Sequence, residues 1–139
     1  MTKTLLIALG IACVLVAAVG CSSTQSSSLS QENLLDGLIK RYYKTGQIQS
    51  ETNYRNGKQE GSYKAYYENG KVCLESNFKD DQLEGEYKSY YQNGQLEYEV
   101  TYKASGKEGL AKWYDESGKL IMEQTYKDGE LIDTKKTNE

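Results

Sequence analysis

The chain has 139 residues, enough for one domain of ordinary size, with 17 basic and 20 acidic side chains and a net charge of −3. That balance lacks the basic surface nucleic acid demands. There is no histidine and no proline, and only three cysteines. Metal centres of the histidine or clustered-cysteine kind and histidine-activated nucleophiles are therefore ruled out, and no cofactor or metal is expected.

The first twenty residues read as a segment apart. After Lys3 comes the uncharged run "TLLIALGIACVLVAAVG", then at once "CSSTQSSSLSQEN". A cationic start, an apolar core and small residues before a polar switch describe a secretory signal. The run is a little short against the ~20 apolar residues that span a bilayer, which is the competing reading. "AAVGC" resembles the lipobox of bacterial lipoproteins, in which the cysteine is lipidated and begins the mature chain; Ala18 stands where that pattern usually has leucine. The resemblance implies a lipidation site at Cys21 and anchoring to the bacterial cell envelope, with Ser22 directing the protein to the outer membrane of a Gram-negative host. An ordinary secretory signal is the alternative. The expected organisation is a signal peptide over 1–20, a lipidated cysteine and Ser-rich tether over 21–33, a repeat domain over 34–133 and a polar tail over 134–139. Loss of Lys3 leaves 16 basic against 20 acidic side chains, net −4. Cys73 is then the single thiol besides the anchor, so no disulfide framework is expected.

Gly37, Gly61, Gly85 and Gly109 stand 24 residues apart. Aligned on them, the chain reads "GLIKRYYKTGQIQSETNYRNGKQE", "GSYKAYYENGKVCLESNFKDDQLE", "GEYKSYYQNGQLEYEVTYKASGKE" and "GLAKWYDESGKLIMEQTYKDGELI". Four copies without insertion define a repeat architecture. Each carries a first turn signal (Thr45-Gly46, Asn69-Gly70, Asn93-Gly94, Ser117-Gly118), and Asn56-Gly57 and Asp128-Gly129 mark second ones. Asn-Gly and Asp-Gly between alternating segments predict two-residue hairpin loops. The intervening segments, rich in Tyr, Val, Ile and Thr, are predicted strands. With Asn69-Gly70 as a two-residue loop, Lys64 faces Glu75; the same rule sets Lys40 against Glu51, Lys88 against Glu99 and Lys112 against Glu123. Opposite charges at facing positions fix register.

Period-two alternation puts Tyr63, Ala65, Tyr67, Val72, Leu74, Ser76 and Phe78 of the second copy on the other face. The third copy adds Tyr87, Ser89, Tyr91, Leu96, Tyr98, Val100 and Tyr102, and the fourth Trp113, Leu120, Met122 and Tyr126. Leu34-Leu35 and Leu131-Ile132 extend the pattern. The repeat glycines share this face, where bare backbone is expected to admit neighbouring rings. Tyr42, Tyr66, Tyr90 and Tyr114 lie with the charge ladder, and Cys73 is predicted to face outward beside Tyr66. The fold class is all-β, a single-layer antiparallel meander of four hairpin repeats with eight or nine strands. Its apolar face must curl on itself, pair with another copy or hold a partner.

The pattern G-x-x-K-x-Y-Y-x-N-G-K-x-x-x-E-x-x-Y-K-x-G, as in 61–81 and 85–105, resembles the bacterial variant of the MORN repeat over residues 37–132. Departures are Asp115 for the second tyrosine of copy four, Asp81 for glycine in copy two, and "KASG" in place of the second tight turn of copy three. The resemblance implies elongated sheets used for protein or lipid contact, and antitoxin- or immunity-like labels for some bacterial members.

The four rungs read as structural, and Cys73 as incidental for want of a group to activate it. No phosphate loop or Asp-rich calcium loop is present. Paired carboxylates of the glycoside-cleaving kind stay open on sequence grounds, yet the reading is non-enzymatic. Tyr42, Tyr66, Tyr90, Tyr114, Tyr67, Tyr91 and Trp113 are the candidate binding residues, since rings supply apolar area with a polar tip. The leading expectation is a membrane-anchored protein-interaction module. The alternatives are a lipid- or glycan-binding surface and a self-associating structural protein.

Overall fold

The computed structural model describes residues 36–137. The expected signal segment, Cys21, the tether and Leu34-Leu35 lie outside the described residues. The rest is strand and turn: β1 (Gly37–Tyr42), β2 (Ile48–Arg55), β3 (Lys58–Tyr66), β4 (Val72–Lys79), β5 (Gln82–Leu83), β6 (Gly85–Tyr90), β7 (Leu96–Lys103), β8 (Gly106–Tyr114), β9 (Leu120–Lys127) and β10 (Glu130–Lys136). They form one antiparallel sheet in chain order, with the short β5 pairing β4 and no helix among the described residues. This is the all-β hairpin meander the repeats predict. The strand count rises to ten because β5 and β6 are one strand interrupted at Glu84, and β10 runs on to Lys136, past the expected end of the domain.

The two turns of each repeat differ, which the sequence reading did not foresee. At one end of the sheet Arg55 pairs Lys58, Lys79 pairs Gln82, Lys103 pairs Gly106 and Lys127 pairs Glu130, each across a two-residue loop. Both loop residues have positive φ in all four: Asn56-Gly57, Asp80-Asp81, Ala104-Ser105 and Asp128-Gly129. The tight turn therefore persists in the copies that lack Asn-Gly or Asp-Gly. At the other end the loop has three residues. Tyr67 N–H donates to Lys71 O and Gly70 N–H to Tyr67 O, and only Gly70 takes positive φ, at 82°. Asn69-Gly70 is thus not a two-residue loop, and Thr45-Gly46, Asn93-Gly94 and Ser117-Gly118 follow the same three-residue pattern.

Lys64 nevertheless faces Glu75. The longer loop displaces the pairing by one, setting Tyr66 against Val72, and a β-bulge at Cys73 restores it, so Ala65 faces Leu74. The bulge turns Cys73 inward. It is 1% exposed and packs with Ala65 and Tyr67. The outward-facing cysteine expected from strict alternation is corrected, and so are Val72, Leu96 and Leu120, which stand opposite Tyr66, Tyr90 and Tyr114 of the outer row and not on the apolar face.

The repeat glycines serve a second irregularity. Thr52 faces Tyr63 while Tyr54 faces Gln59, so β3 carries two more residues than β2 between these pairs, and Gly61 lies among them at φ 90°. No ring lies over Gly37, Gly85 or Gly109, and a Cβ built at Gly61 meets only Asn53 Cβ at 3.9 Å. Their use is positive φ at a bulge, not room for rings.

The apolar face is covered by its own large side chains. Tyr87, Tyr98, Val100, Tyr102 and Ala111 are buried there, with Leu74, Leu83, Trp113 and Tyr126 packed against them. Tyr87 meets Tyr98 and Tyr102 edge-on at 6.0 and 5.6 Å between ring centroids. Edge-to-face geometry at this spacing is favoured by the ring quadrupoles. Leu131 and Ile132, expected to extend the apolar face, are exposed on the last strand.

Candidate functional site

The candidate residues occupy the face opposite this core and the boundaries between repeats. The charge ladder is longer than the four hairpin rungs. Lys40 (β1) faces Glu51 (β2), which faces Lys64 (β3), and the row continues through Glu75, Lys88, Glu99, Lys112, Glu123 and Lys135. Signs alternate across nine strands. Within it, Lys40 Nζ is 2.7 Å from Glu51 and Lys64 Nζ 2.8 Å from Glu75. The other two hairpin pairs face each other without closing an ion pair. Lys88 turns to Glu86 on its own strand, at 2.8 Å, and Lys112 reaches back to Glu99 of the preceding repeat, at 3.5 Å. Hydrogen bonding to Lys64, with a further bond from Tyr90, holds the Glu75 carboxyl below the usual range. Glu51 is lowered likewise by Lys40 and then Tyr66.

The tyrosine pairs of the second and third repeats tie each of them to both neighbours. The first tyrosine reaches back: the hydroxyls of Tyr66, Tyr90 and Tyr114 donate to Glu51, Glu75 and Glu99 at 2.7, 2.9 and 2.8 Å. Burial, reinforced by that carboxylate, pushes each of these phenols up to about 12. The second tyrosine reaches forward: Tyr43, Tyr67 and Tyr91 donate to the backbone carbonyls of Tyr66, Tyr90 and Tyr114, at 2.5–2.8 Å. In copy four Asp115 replaces the tyrosine. Its carboxylate instead accepts from Ser117 Oγ and from the backbone N–H groups of Ser117 and Lys119, closing its own turn.

Of the candidate binding residues, then, Tyr66, Tyr90, Tyr114, Tyr67 and Tyr91 have their hydroxyls committed to neighbouring repeats. Trp113 lies on the apolar face with its ring 4.5 Å from that of Tyr98. Tyr42 differs from its row: it is 57% exposed and its hydroxyl has no partner among the described residues. These residues do not converge on one pocket.

Two features escaped the sequence reading. The acid before each repeat glycine caps the tight turn that follows its hairpin: Asp36, Glu60, Glu84 and Glu108 accept the N–H of Asn56, Asp80, Ala104 and Asp128. An acid recurring every 24 residues was its signal. Lys107 takes a place on the apolar face that is leucine in the flanking copies. Its ammonium sits 4.8 Å from the Tyr126 ring centroid and 5.5 Å from that of Tyr98, a cation–π arrangement that no local motif announces. Among the described residues no three His, Cys, Asp or Glu side chains form a metal-binding group. No described helix is long and apolar enough to cross a membrane.

A protein-family model described as the MORN repeat variant matches residues 35–56, 59–80, 83–104 and 107–128. Each match covers one hairpin and its three-residue loop, and together they span more than half of the chain. No curated protein matches it.

Proposed function

The chain belongs to the MORN repeat variant family, whose repeats are generally non-enzymatic modules for protein or membrane interaction, and from this premise we propose that it is a lipid-anchored protein-interaction module of the bacterial cell envelope. The observation that carries the reading is the commitment of the repeat side chains to one another. Lysines, glutamates and paired tyrosines tie strand to strand, which makes a stiff scaffold and leaves recognition to side chains outside the motif. The lipobox-like "AAVGC" ending at Cys21 supports the anchor, and acyl chains at about 0.8 kcal/mol per buried methylene hold a protein stably once two or more are present. The Ser-rich stretch to residue 33 is its tether. A narrower form of the reading is an immunity-like protein that neutralises a toxin in the envelope, which rests on the family resemblance.

A glycan platform built on the outer tyrosine row is less favoured, because three of its four hydroxyls bond to glutamates of the sheet.

Two measurements test the proposal. Growth with an alkyne-tagged fatty acid is expected to label the full chain and leave Cys21→Ser unlabelled; equal labelling removes the anchor. Crosslinking capture from the host's own envelope is expected to yield one protein in stoichiometric amount. Recovery of lipid, glycan or the chain alone removes the module.

A further inference from the structure

The interior boundaries between repeats are built alike. A second strand of one hairpin presents Glu51, Glu75 or Glu99 opposite Lys64, Lys88 or Lys112 on the first strand of the next. That same first strand sends the hydroxyl of Tyr66, Tyr90 or Tyr114 to the glutamate. β1 is also a first strand and carries Lys40 and Tyr42 at the corresponding places. No described strand lies along its outer edge. Among the described residues Lys40 has one glutamate beside it where its counterparts have two. Next to it stand exposed Tyr42 and Leu38.

We infer that the outer edge of β1 is a strand-addition site for an extended segment of a partner protein that presents a carboxylate opposite Lys40. The inference rests on the interaction-module reading and names where and how that module would recognise its partner. The outward N–H and C=O groups of the edge, which pair with no described strand, supply the main-chain bonds. Lys40 and Tyr42 supply the selectivity, by the same two contacts that select glutamate at every interior boundary.

Charge argues against a second copy as the occupant. The ladder alternates over nine strands and so ends on lysine at both sides, Lys40 and Lys135. In the ladder's register, β1 on β1, β1 on β10 and β10 on β10 all oppose lysine to lysine, and like charges directly opposite are destabilising. β10 is guarded further by Glu130, Asp133 and Lys136 along its exposed length, and charged side chains are a common means of blunting an edge. Asp115 also removes the tyrosine that would tie a further hairpin to copy four. Within β1 the charged side chains are Lys40 and Arg41, both basic, which oppose a basic strand and not an acidic one.

The probe is a synthetic peptide of sequence LEYEVTYK, copied from β7, whose glutamate equivalent to Glu99 meets a lysine and a tyrosine in the interior. Hydrogen–deuterium exchange of the full chain is followed with and without it. Slowed exchange over 37–42 is expected. Replacing that glutamate by glutamine in the peptide should weaken binding about tenfold, the effect of losing a hydrogen-bonded charge. Lys40→Glu should weaken it similarly, and a peptide with lysine at the glutamate position should restore binding to that variant. No protection over 37–42, protection over 130–136 instead, or indifference to the peptide's glutamate would overturn the inference. So would protection of 37–42 before the peptide is added, which assigns the edge to the chain's own preceding residues or, if lost on dilution, to a second copy. Envelope capture that survives Lys40→Glu unchanged sinks the edge while sparing the module.

Discussion

Tyr90 concentrates what one side chain does in this sheet. Its hydroxyl donates to Glu75 of the preceding repeat and its carbonyl accepts from Tyr67. Tyr90→Phe keeps the ring and the carbonyl and removes only the bond to the carboxylate. Hydrogen bonds to charged groups are worth about 1.5–3 kcal/mol, and partial exposure lowers that, so a loss of roughly 1 kcal/mol is expected from the urea midpoint. Tyr42→Phe, with no such bond, should shift the midpoint far less; equal shifts would show that the carboxylate bond is immaterial. The same bonds set an alkaline limit. The phenols of Tyr66, Tyr90 and Tyr114 stand at about 12 in the folded chain, raised first by burial and then by their glutamates, against about 10 unfolded. A raised folded pKa means the stabilisation is whole below pH 10 and is lost as pH climbs to 12. Unfolding stability should therefore decline over that window, and the triple Phe variant should flatten the slope. At the acid end, Glu51 and Glu75 are lowered by their lysine and tyrosine partners. Their contribution persists above the ordinary carboxylate range and disappears as pH falls through the folded pKa.

The hairpin is where the sequence was most legible and also where it misled. The rungs were placed correctly although the loop at Asn69-Gly70 has three residues rather than two. The one-residue excess in the loop and the one-residue bulge at Cys73 cancel in the strand body, so Lys64 still meets Glu75. Only the residues between loop and bulge reveal the difference: Cys73 turns to the apolar face and Val72, opposite Tyr66, to the ladder face. Charge pairing reports the sum of such irregularities and not their positions. The two-residue loops show the converse, because Ala104-Ser105 keeps the left-handed geometry with neither Asn nor Gly. The Glu84 cap on Ala104 N–H and the bonds between Ser105 and Leu83 hold it in place, and these partners are 20 to 22 residues away in the chain. A left-handed alanine costs about 1 kcal/mol that asparagine largely escapes. Ala104→Asn is thus expected to stabilise the protein by somewhat under 1 kcal/mol in chemical denaturation. A destabilised variant would mean that the loop is not left-handed in solution.

Among the described residues the ties run from each repeat to the next, which makes the sheet a one-dimensional array. The periodic part of that array could be read from the glycines and the Lys/Glu spacing. The tyrosine ties could not, because the bonds of Tyr66 and Tyr67 lead to adjoining copies and their row looks like an open platform until the repeats are set side by side. Deletion of residues 85–108 tests the array directly. It removes one full period and joins Glu84 to Gly109, recreating the acid-glycine pair that opens every repeat. Tyr67 then meets the Tyr114 carbonyl, Tyr114 meets Glu75, and the even count leaves every later side chain on its own face. The shortened chain is expected to keep a β-type circular dichroism spectrum and cooperative unfolding, with a denaturant m-value lower by about a quarter, in proportion to the surface removed. Deleting 85–107 instead joins the same strands one residue out of phase. It sends Trp113 and Ala111 to the charged face and the ladder lysine to the apolar one, and should not fold cooperatively past the junction. If both deletions fold equally well, the array is not held by register, and the ladder and tyrosine ties are ornament on a sheet stabilised by its backbone alone.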